Sequence, residues 1–216
     1  MKEKTLYSPI AKMYGDAHKL MLFNRGVKSA LKKAQINCPA NGKILDMGCG
    51  DGVVGLNLLE RFKRAKLFST DIEENFLHQV LNNAKNNKVK NQVSVGFLDV
   101  SSPNKAKTLK GKLIYLKPKS FDIISASGTI GYSKNQIKTI KILLGMIKKG
   151  GYFVDLEMKE SIFGNFIAKL YSYNLLPHTR IKNLFEKEGF EIMFFPLSFK
   201  QFPVNLTRTL IVARKK

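Results

Sequence analysis

Cysteine and long apolar runs are both scarce in this sequence. Its two cysteines, Cys38 and Cys49, are too few for a disulfide framework, and no nearby histidines complete a zinc-binding pattern. No apolar run approaches the ~20 residues that a membrane-spanning helix needs, and the first residues lack the apolar segment of a secretory signal. We therefore expect a cytoplasmic protein with reduced thiols and no metal site.

Acidic residues and arginine are also few. The chain has 37 basic and 16 acidic residues and a formal net charge of +21, yet only six of the basic residues are arginine. Clustered cations favour nucleic-acid binding, whereas bidentate recognition of phosphates and bases favours arginine over lysine. Abundant Lys, Asn, Ile and Phe also suit a genome biased toward A and T codons. The composition leaves RNA binding open without requiring it.

The order of apolar runs predicts a single α/β domain. A chain of 216 residues with 44% apolar content is long enough for one core. Strand-like runs alternate with helical periodicity, which is typical of β-α units around a mostly parallel sheet. The last two strands are close enough to pair antiparallel, and the lysine-rich segment 101–120 is predicted as a long loop, with or without a short helix. The predicted strands are 43–47, 66–70, 92–97, 121–125, 151–156, 191–197 and 207–213, and the predicted helices are 53–63, 73–86, 135–148 and 179–188.

Three glycines at alternate positions, Gly48, Gly50 and Gly52, join the first predicted strand to the first predicted helix. Glycine allows positive φ and close approach of the backbone to a ligand, and β-α crossings at the carboxyl ends of strands are where open α/β sheets bind ligands. Val53 stands where a dinucleotide fingerprint needs its third glycine, and no lysine follows as in a phosphate-binding loop. Both of these nucleotide classes are disfavoured.

The run from Asp46 to Gly52, D-M-G-C-G-D-G, resembles the first motif of the class I S-adenosylmethionine-dependent methyltransferases. Asp71 and Asp99, at the ends of the second and third predicted strands, resemble the acidic residues of the family's next two motifs. The resemblance covers about residues 7–213. It implies a Rossmann-like three-layer sandwich whose seven-stranded, mostly parallel sheet has an antiparallel last strand.

The resemblance also implies a cofactor, S-adenosyl-L-methionine, and a set of residues that bind it. Asp71 would accept both ribose hydroxyls, and Asp99 would meet the adenine amino group. Because the cofactor carries a sulfonium and an ammonium, a locally acidic pocket in so basic a protein supports the assignment. The alternative is that these aspartates cap the helices that follow them. The predicted cofactor-binding residues are Asp46, Gly48, Cys49, Gly50, Gly52, Asp71, Ile72, Asp99, Val100 and Tyr14.

The N-terminal stretch from Tyr7 to Tyr14 resembles the Y-x-x-I-A-x-x-Y opening of many small-molecule and lipid-type members of the family. Tyr7 and Tyr14 either close the pocket over the cofactor or are core aromatics of a leading helix. The predicted layout is one methyltransferase domain spanning 1–216. It divides into a helical cap (1–40), a cofactor-binding core (41–157), a candidate substrate lid (158–178) and a C-terminal helix with two strands (179–216).

Methyl transfer needs an acceptor held close and in line rather than a covalent protein intermediate, so no catalytic residue is assigned from the sequence. If the acceptor must lose a proton, the candidate bases are His18, Tyr132, Glu157 and His178, each of which also has an ordinary structural explanation.

Apolar residues recur at helical spacing in segment 161–178. This stripe fits core packing, a lid over a hydrophobic acceptor or, with Lys159 and Lys169 beside it, peripheral contact with an anionic membrane.

The sequence therefore predicts S-adenosylmethionine-dependent methyl transfer to a small-molecule or lipid-like acceptor. The fourth predicted strand ends in S-A-S-G rather than N-P-P-Y, which disfavours methylation of nucleobase amino groups but leaves other RNA positions open. An RNA methyltransferase that uses the lysine-rich surface is one alternative. A noncatalytic binding protein on the same fold is the other.

Overall fold

The computed structural model describes residues 21–216, and in that range it contains one nine-stranded sheet. The strand order across the sheet is β5-β4-β3-β2-β1-β6-β7-β9-β8. The strands are β1 (Lys43–Met47), β2 (Lys66–Asp71), β3 (Val93–Leu98), β4 (Lys105–Thr108), β5 (Leu113–Tyr115), β6 (Phe121–Ser125), β7 (Ile147–Met158), β8 (Phe190–Phe195) and β9 (Arg208–Lys215).

Helices connect most of these strands, and short 3-10 turns lie at Lys90–Gln92, Ile130–Tyr132 and Phe199–Gln201. None of the helices within 21–216 is long and apolar enough to cross a membrane. The α-helices are α1 (Met21–Lys33), α2 (Val53–Arg61), α3 (Glu74–Asn86), α4 (Gln136–Met146), α5 (Ile162–Leu170), α6 (His178–Lys187) and α7 (Val204–Thr207).

The central part of the sheet has the predicted topology. β1 pairs in parallel with β2 and β6, β2 pairs in parallel with β3, and β6 pairs in parallel with β7. β9 runs antiparallel to both β7 and β8. The Rossmann-like class is therefore confirmed, with the antiparallel last strand inserted between its neighbours. Most predicted elements are present within two residues of their predicted bounds, but β7 begins four residues earlier, where 147–150 was assigned to a helix and a turn.

Segment 101–120 is a β-hairpin, and its prediction as a loop was wrong. β4 pairs antiparallel with β3, and β5 pairs antiparallel with β4, so the sheet has two more strands than predicted. In β4, Ala106 is buried between the exposed Lys105 and Lys107, which is the alternation of a strand with one face in solvent. The sequence does not show this alternation clearly, because the buried residue between the two lysines is only an alanine.

Alternate residues of the central strands pack into two apolar clusters, one on each face of the sheet. Leu45 and Ile124 contribute to the cluster that includes residues of α4 and α6. Ile44 and Ile123 contribute to the cluster that includes residues of α1 and α2. Because β1 and β6 are buried on both faces, packing on both sides of the sheet fixes the position of their carboxyl ends.

We expect Phe185→Ala to lower the free energy of unfolding by about 3–5 kcal/mol. Phe185 is fully buried and packs edge-to-face against Phe153, with ring centroids 5.1 Å apart. The matched control is Phe163→Ala, because Phe163 is an exposed phenylalanine of α5 and should change stability by less than about 0.5 kcal/mol. Urea unfolding followed by circular dichroism measures both, and equal losses would contradict this account of the core.

Candidate functional site

The chain leaves β1 and enters α2 through a turn whose glycines have left-handed backbone conformations. The φ angles are 62° at Gly48, 52° at Gly50 and 85° at Gly52. A Cβ at Gly48 would collide with the side chain of Thr129, whereas a Cβ at Gly50 would meet nothing within 4 Å. Gly48 is therefore required by packing as well as by its φ, and the backbone at Gly50 faces open space.

The buried carboxylate of Asp46 fixes this turn. Its Oδ1 accepts a hydrogen bond from Ser125 Oγ at 2.6 Å, and its Oδ2 accepts one from the Gly55 amide at 3.0 Å. A Cβ at Gly55 would lie 2.6 Å from Asp46 Oδ2, so α2 approaches this closely because residue 55 is glycine. Burial raises the pKa of Asp46 to about 6, against the lowering effect of the two hydrogen bonds.

Asp71 connects the end of β2 to the same turn. Its Oδ2 accepts a hydrogen bond from the Gly50 amide at 3.0 Å, and its Oδ1 accepts one from the Glu73 amide at 3.1 Å. Burial raises the pKa of Asp71, which the hydrogen bonds from the Glu73 and Gly50 amides oppose. The Ile72 amide also hydrogen-bonds this carboxylate, so three backbone amides hold it in place. A carboxylate has about four acceptor sites, so Asp71 keeps acceptor capacity for a ligand hydroxyl.

The turn opens into a cavity of about 370 Å³ at the carboxyl ends of the central strands. This volume lies within the usual range of small-molecule sites, about 300–1,000 Å³. Apolar and aromatic residues make up much of the wall beyond the turn. They include Phe23, Val27, Phe76, Leu98, Val100, Tyr132, Leu156, Met158 and Tyr171.

The structure brings most of the predicted cofactor-binding residues together around this cavity. Gly52 and Asp99 do not line it. A Cβ at Gly52 would contact Val80 of α3, and the exposed Asp99 accepts a hydrogen bond from the Ser101 amide at 2.7 Å. The predicted residues that line the cavity are Asp46, Gly48, Cys49, Gly50, Asp71, Ile72 and Val100.

The remaining N-terminal candidates, Tyr7, Tyr14 and His18, lie outside the described residues. Residues 21–216 contain no group of three or more His, Cys, Asp or Glu side chains that could hold a metal ion.

Of the three candidate bases within 21–216, only Tyr132 lines the cavity. Glu157 is buried elsewhere and accepts a hydrogen bond from the Tyr173 hydroxyl at 2.6 Å. His178 begins α6, with its Nε2 3.3 Å from the carbonyl oxygen of Met158. Glu157 and His178 therefore have structural partners away from the cavity. Tyr132 packs edge-to-face on Tyr173, with ring centroids 5.1 Å apart, and is the one of these three candidates that lies in the cavity wall.

Several polar residues of the cavity wall were not predicted from the sequence, among them Thr129 and Arg208. Thr129 Oγ1 donates to the carbonyl oxygens at the end of β1, and Arg208 Nη1 donates to the carbonyl oxygen of Leu156 at 3.3 Å. Thr129 follows β6, the neighbour of β1, so the strand order would have indicated it. Arg208 depends on the register that pairs it with Met158 across β7 and β9, which no local pattern gives.

This topology and site define a class I S-adenosylmethionine-dependent methyltransferase. A family model described as a methyltransferase domain matches residues 39–189, which is more than half of the chain. The chain belongs to this family, as the motif at Asp46 to Gly52 predicted. Its cofactor is S-adenosylmethionine, and the open backbone at Gly50 beside the Asp71 carboxylate fits that molecule. No curated protein sequence matches the chain.

Solved structures share the fold at low sequence identity. The YcgJ protein from Bacillus subtilis is 12% identical with a TM-score of 0.63, over 88% of this chain and 98% of that one. A geranyl diphosphate C-methyltransferase from Streptomyces coelicolor is 10% identical with a TM-score of 0.67, over 88% and 75% of the two chains. The [4+2]-cyclase SpnF is 14% identical with a TM-score of 0.65, over 89% and 80%. The fold thus carries more than one chemistry, so the acceptor has to be argued from the site.

We expect Gly48→Ala to destabilise the protein clearly more than Gly50→Ala. Both variants place an L-residue in the left-handed region, which costs about 1–2 kcal/mol, but only the new Cβ at position 48 meets Thr129. Urea unfolding measures the difference in stability. Adding Thr129→Ala should restore part of the stability lost in Gly48→Ala but none of that lost in Gly50→Ala. Equal losses in the two single variants would contradict the packing role of Gly48.

The stability of the wild type relative to Asp46→Asn should depend on pH. The folded protein raises the pKa of Asp46 from 3.8 to about 6, so between these values the native state binds more protons than the unfolded chain. Stability must then fall as pH rises through this window, by up to about 3 kcal/mol relative to the variant. Denaturant unfolding of both proteins between pH 4 and pH 7 tests this, and parallel curves would contradict it.

Proposed function

We propose that the protein transfers the methyl group of S-adenosylmethionine to a small-molecule or lipid-like acceptor. The observation that carries the proposal is the composition of the cavity: beyond the glycine turn, its wall is formed largely by apolar and aromatic side chains. Such a wall favours an acceptor with a substantial apolar part. A structurally similar protein, the geranyl diphosphate C-methyltransferase, acts on a substrate with a geranyl chain, which supports an acceptor with an apolar part.

In the proposed complex, the cofactor lies against the backbone of Gly48, Cys49 and Gly50, and Asp71 accepts its ribose hydroxyls. Asp46 acts by fixing the turn, because its carboxylate is buried between Ser125 and Gly55 and accepts hydrogen bonds from both. Gly52 has the same supporting role through its packing on α3.

Ile72 and Val100, which follow the ends of β2 and β3, are proposed to flank the adenine ring. Asp99 contributes through the turn that leads to Val100, since its carboxylate accepts the Ser101 amide.

When bound, the cofactor supplies a sulfonium methyl group that is already activated for in-line displacement. The protein then has to hold the acceptor in line with that bond and keep water out, which is the function we assign to the apolar wall around Leu156 and Met158. Tyr132 is the residue of the described chain that we propose to take or relay a proton where the acceptor must lose one.

The proposal includes a single domain over 1–216 and a cytoplasmic location, in keeping with two free cysteines. An RNA methyltransferase is the second candidate function, and the β4–β5 hairpin favours it. Its exposed lysines and the 61% exposed Tyr115 form a surface of the kind that contacts single-stranded nucleic acid. The hairpin extends the sheet beyond β3, so β3 and β2 lie between it and β1, whose end leads into the glycine turn.

Asp71→Asn should weaken binding of S-adenosylmethionine by about 10- to 100-fold. This substitution keeps the size of the side chain but removes the charge, and hydrogen bonds to a charged group contribute about 1.5–3 kcal/mol. Titration calorimetry measures the affinity, with Glu191→Gln as the control because Glu191 is an exposed acidic residue of β8. Wild-type affinity in Asp71→Asn would contradict the ribose assignment.

The acceptor class is tested by incubating the protein with S-adenosylmethionine labelled in its methyl group and three extracts: small metabolites, total lipid and total RNA. Label that moves into the metabolite or lipid fraction supports the proposal. Label that moves into RNA supports the second candidate. A folded protein that binds the cofactor and labels none of the three contradicts both.

A further inference from the structure

Helix α5 buries its small residues and exposes all of its large residues except the half-buried Ile167. Gly164 and Ala168 are buried, whereas Ile162 is 92% exposed and Phe166 is 63% exposed. The Ser161 hydroxyl caps the first turn of the helix by accepting a hydrogen bond from the Gly164 amide at 3.1 Å. A helix in the core or a closed lid would have the opposite arrangement. The exposed apolar side of α5 thus faces away from the interior of the protein.

Other exposed apolar side chains come from segments packed next to α5. Helix α5 packs on α7, and α7 and the 3-10 turn at Phe199–Gln201 pack on α1. These contacts are close, because a Cβ at Gly26 of α1 would lie 2.9 Å from the Gln201 carbonyl oxygen. We call the exposed apolar residues of these segments the apolar face: Leu22, Ile162, Phe163, Phe166, Leu170, Phe199, Phe202 and Leu206.

The segments that carry the apolar face contain only basic charged residues. Segments 21–33, 161–170 and 198–207 contain six basic residues and no acidic residue: Arg25, Lys28, Lys32, Lys33, Lys169 and Lys200. Two acidic residues lie next to these segments and are both engaged. Glu60 pairs with Lys28, and Glu160 accepts a hydrogen bond from the His178 amide at 2.9 Å.

The apolar face also borders the cavity. Phe23 follows Leu22 in α1, Tyr171 follows Leu170 at the end of α5, and both Phe23 and Tyr171 line the cavity. A surface that binds the apolar face would therefore lie beside the opening of the site.

We propose that the apolar face docks on an anionic lipid bilayer, so that a lipid-like acceptor reaches the cavity directly from the membrane. Exposed aromatic and aliphatic side chains insert at the boundary between headgroups and acyl chains, and the surrounding cations contact lipid phosphates. The acceptor part of this inference rests on the proposed function, whereas the docking itself does not.

The charges argue against a second copy of the chain as the occupant of this face. In a two-fold symmetric dimer the same patch meets itself, so the cations around one copy would face those of the other. Repulsion between like charges at such an interface disfavours the dimer. An anionic bilayer satisfies both the apolar residues and the cations around them.

The test is sedimentation of the full chain with vesicles of phosphatidylcholine alone and of phosphatidylcholine mixed with phosphatidylglycerol. We expect binding to the anionic vesicles that weakens with added salt. Phe163→Ser combined with Phe166→Ser should weaken it about tenfold or more, because two exposed rings lose their insertion. Lys169→Glu combined with Lys200→Glu should weaken it as well.

The β4–β5 hairpin provides matched control variants far along the sheet. Leu113→Ser combined with Tyr115→Ser removes two exposed apolar side chains, and Lys110→Glu combined with Lys112→Glu makes the same charge change as on the apolar face. We expect both to retain wild-type vesicle binding. If the hairpin variants lose as much vesicle binding as the apolar-face variants, the proposal is overturned, because binding would then depend on net charge and not on this face.

Two further measurements separate the remaining outcomes. Light scattering measures the oligomeric state. The proposal would be overturned in favour of a second copy if the wild type forms a dimer and does not bind vesicles, and if Phe163→Ser combined with Phe166→Ser dissociates that dimer. Titration with S-adenosylmethionine without vesicles should be unchanged in every face variant. A wild type that binds vesicles but not the cofactor would leave the docking supported and the proposed function refuted.

Discussion

The hydrogen bonds that the buried carboxylate of Asp46 accepts from Ser125 and Gly55 join β6 and α2 to the end of β1. These three elements bound the glycine turn, so this one side chain fixes the turn that forms one wall of the cavity. Burying a carboxylate is unfavourable unless it is compensated, and the raised pKa shows that the hydrogen bonds compensate only part of the cost. The remaining unfavourable energy can be offset by a cation, and the cofactor brings two positive groups. In a chain with a net charge of +21, Asp46 and Asp71 make the site locally negative.

The parts of the fold that local patterns determine could be predicted from the sequence. The turn from β1 to α2 could be predicted, because a buried strand, three glycines and a helix follow one another within a few residues. The hairpin of β4 and β5 could not be predicted, because one small buried alanine among lysines leaves no apolar alternation to detect. Sequence could place Asp99 near the end of a strand but could not show that its carboxylate accepts the Ser101 amide. The position of Arg208 in the cavity wall depends on a strand register over a long sequence separation.

Methyl transfer asks for little beyond positioning, so members of this class differ mainly in what surrounds the shared motif. In this chain the cavity wall draws on residues outside the matched family region 39–189, such as Phe23 and Arg208, as well as on Tyr171 inside it. These positions belong to the same part of the molecule as the apolar face. The cavity residues outside the matched region thus lie beside the apolar face.

The hairpin at the other end of the sheet bears on how the protein behaves when crowded. Without it, the six-residue β3 would form the sheet edge and offer its unpaired backbone to other chains. The hairpin replaces that edge with β5, a strand of three residues flanked by Lys112 and Lys117. Short, positively charged edges resist strand-to-strand association between molecules. A protein that collects on a two-dimensional surface reaches a high local concentration, and this edge would keep such molecules from polymerising.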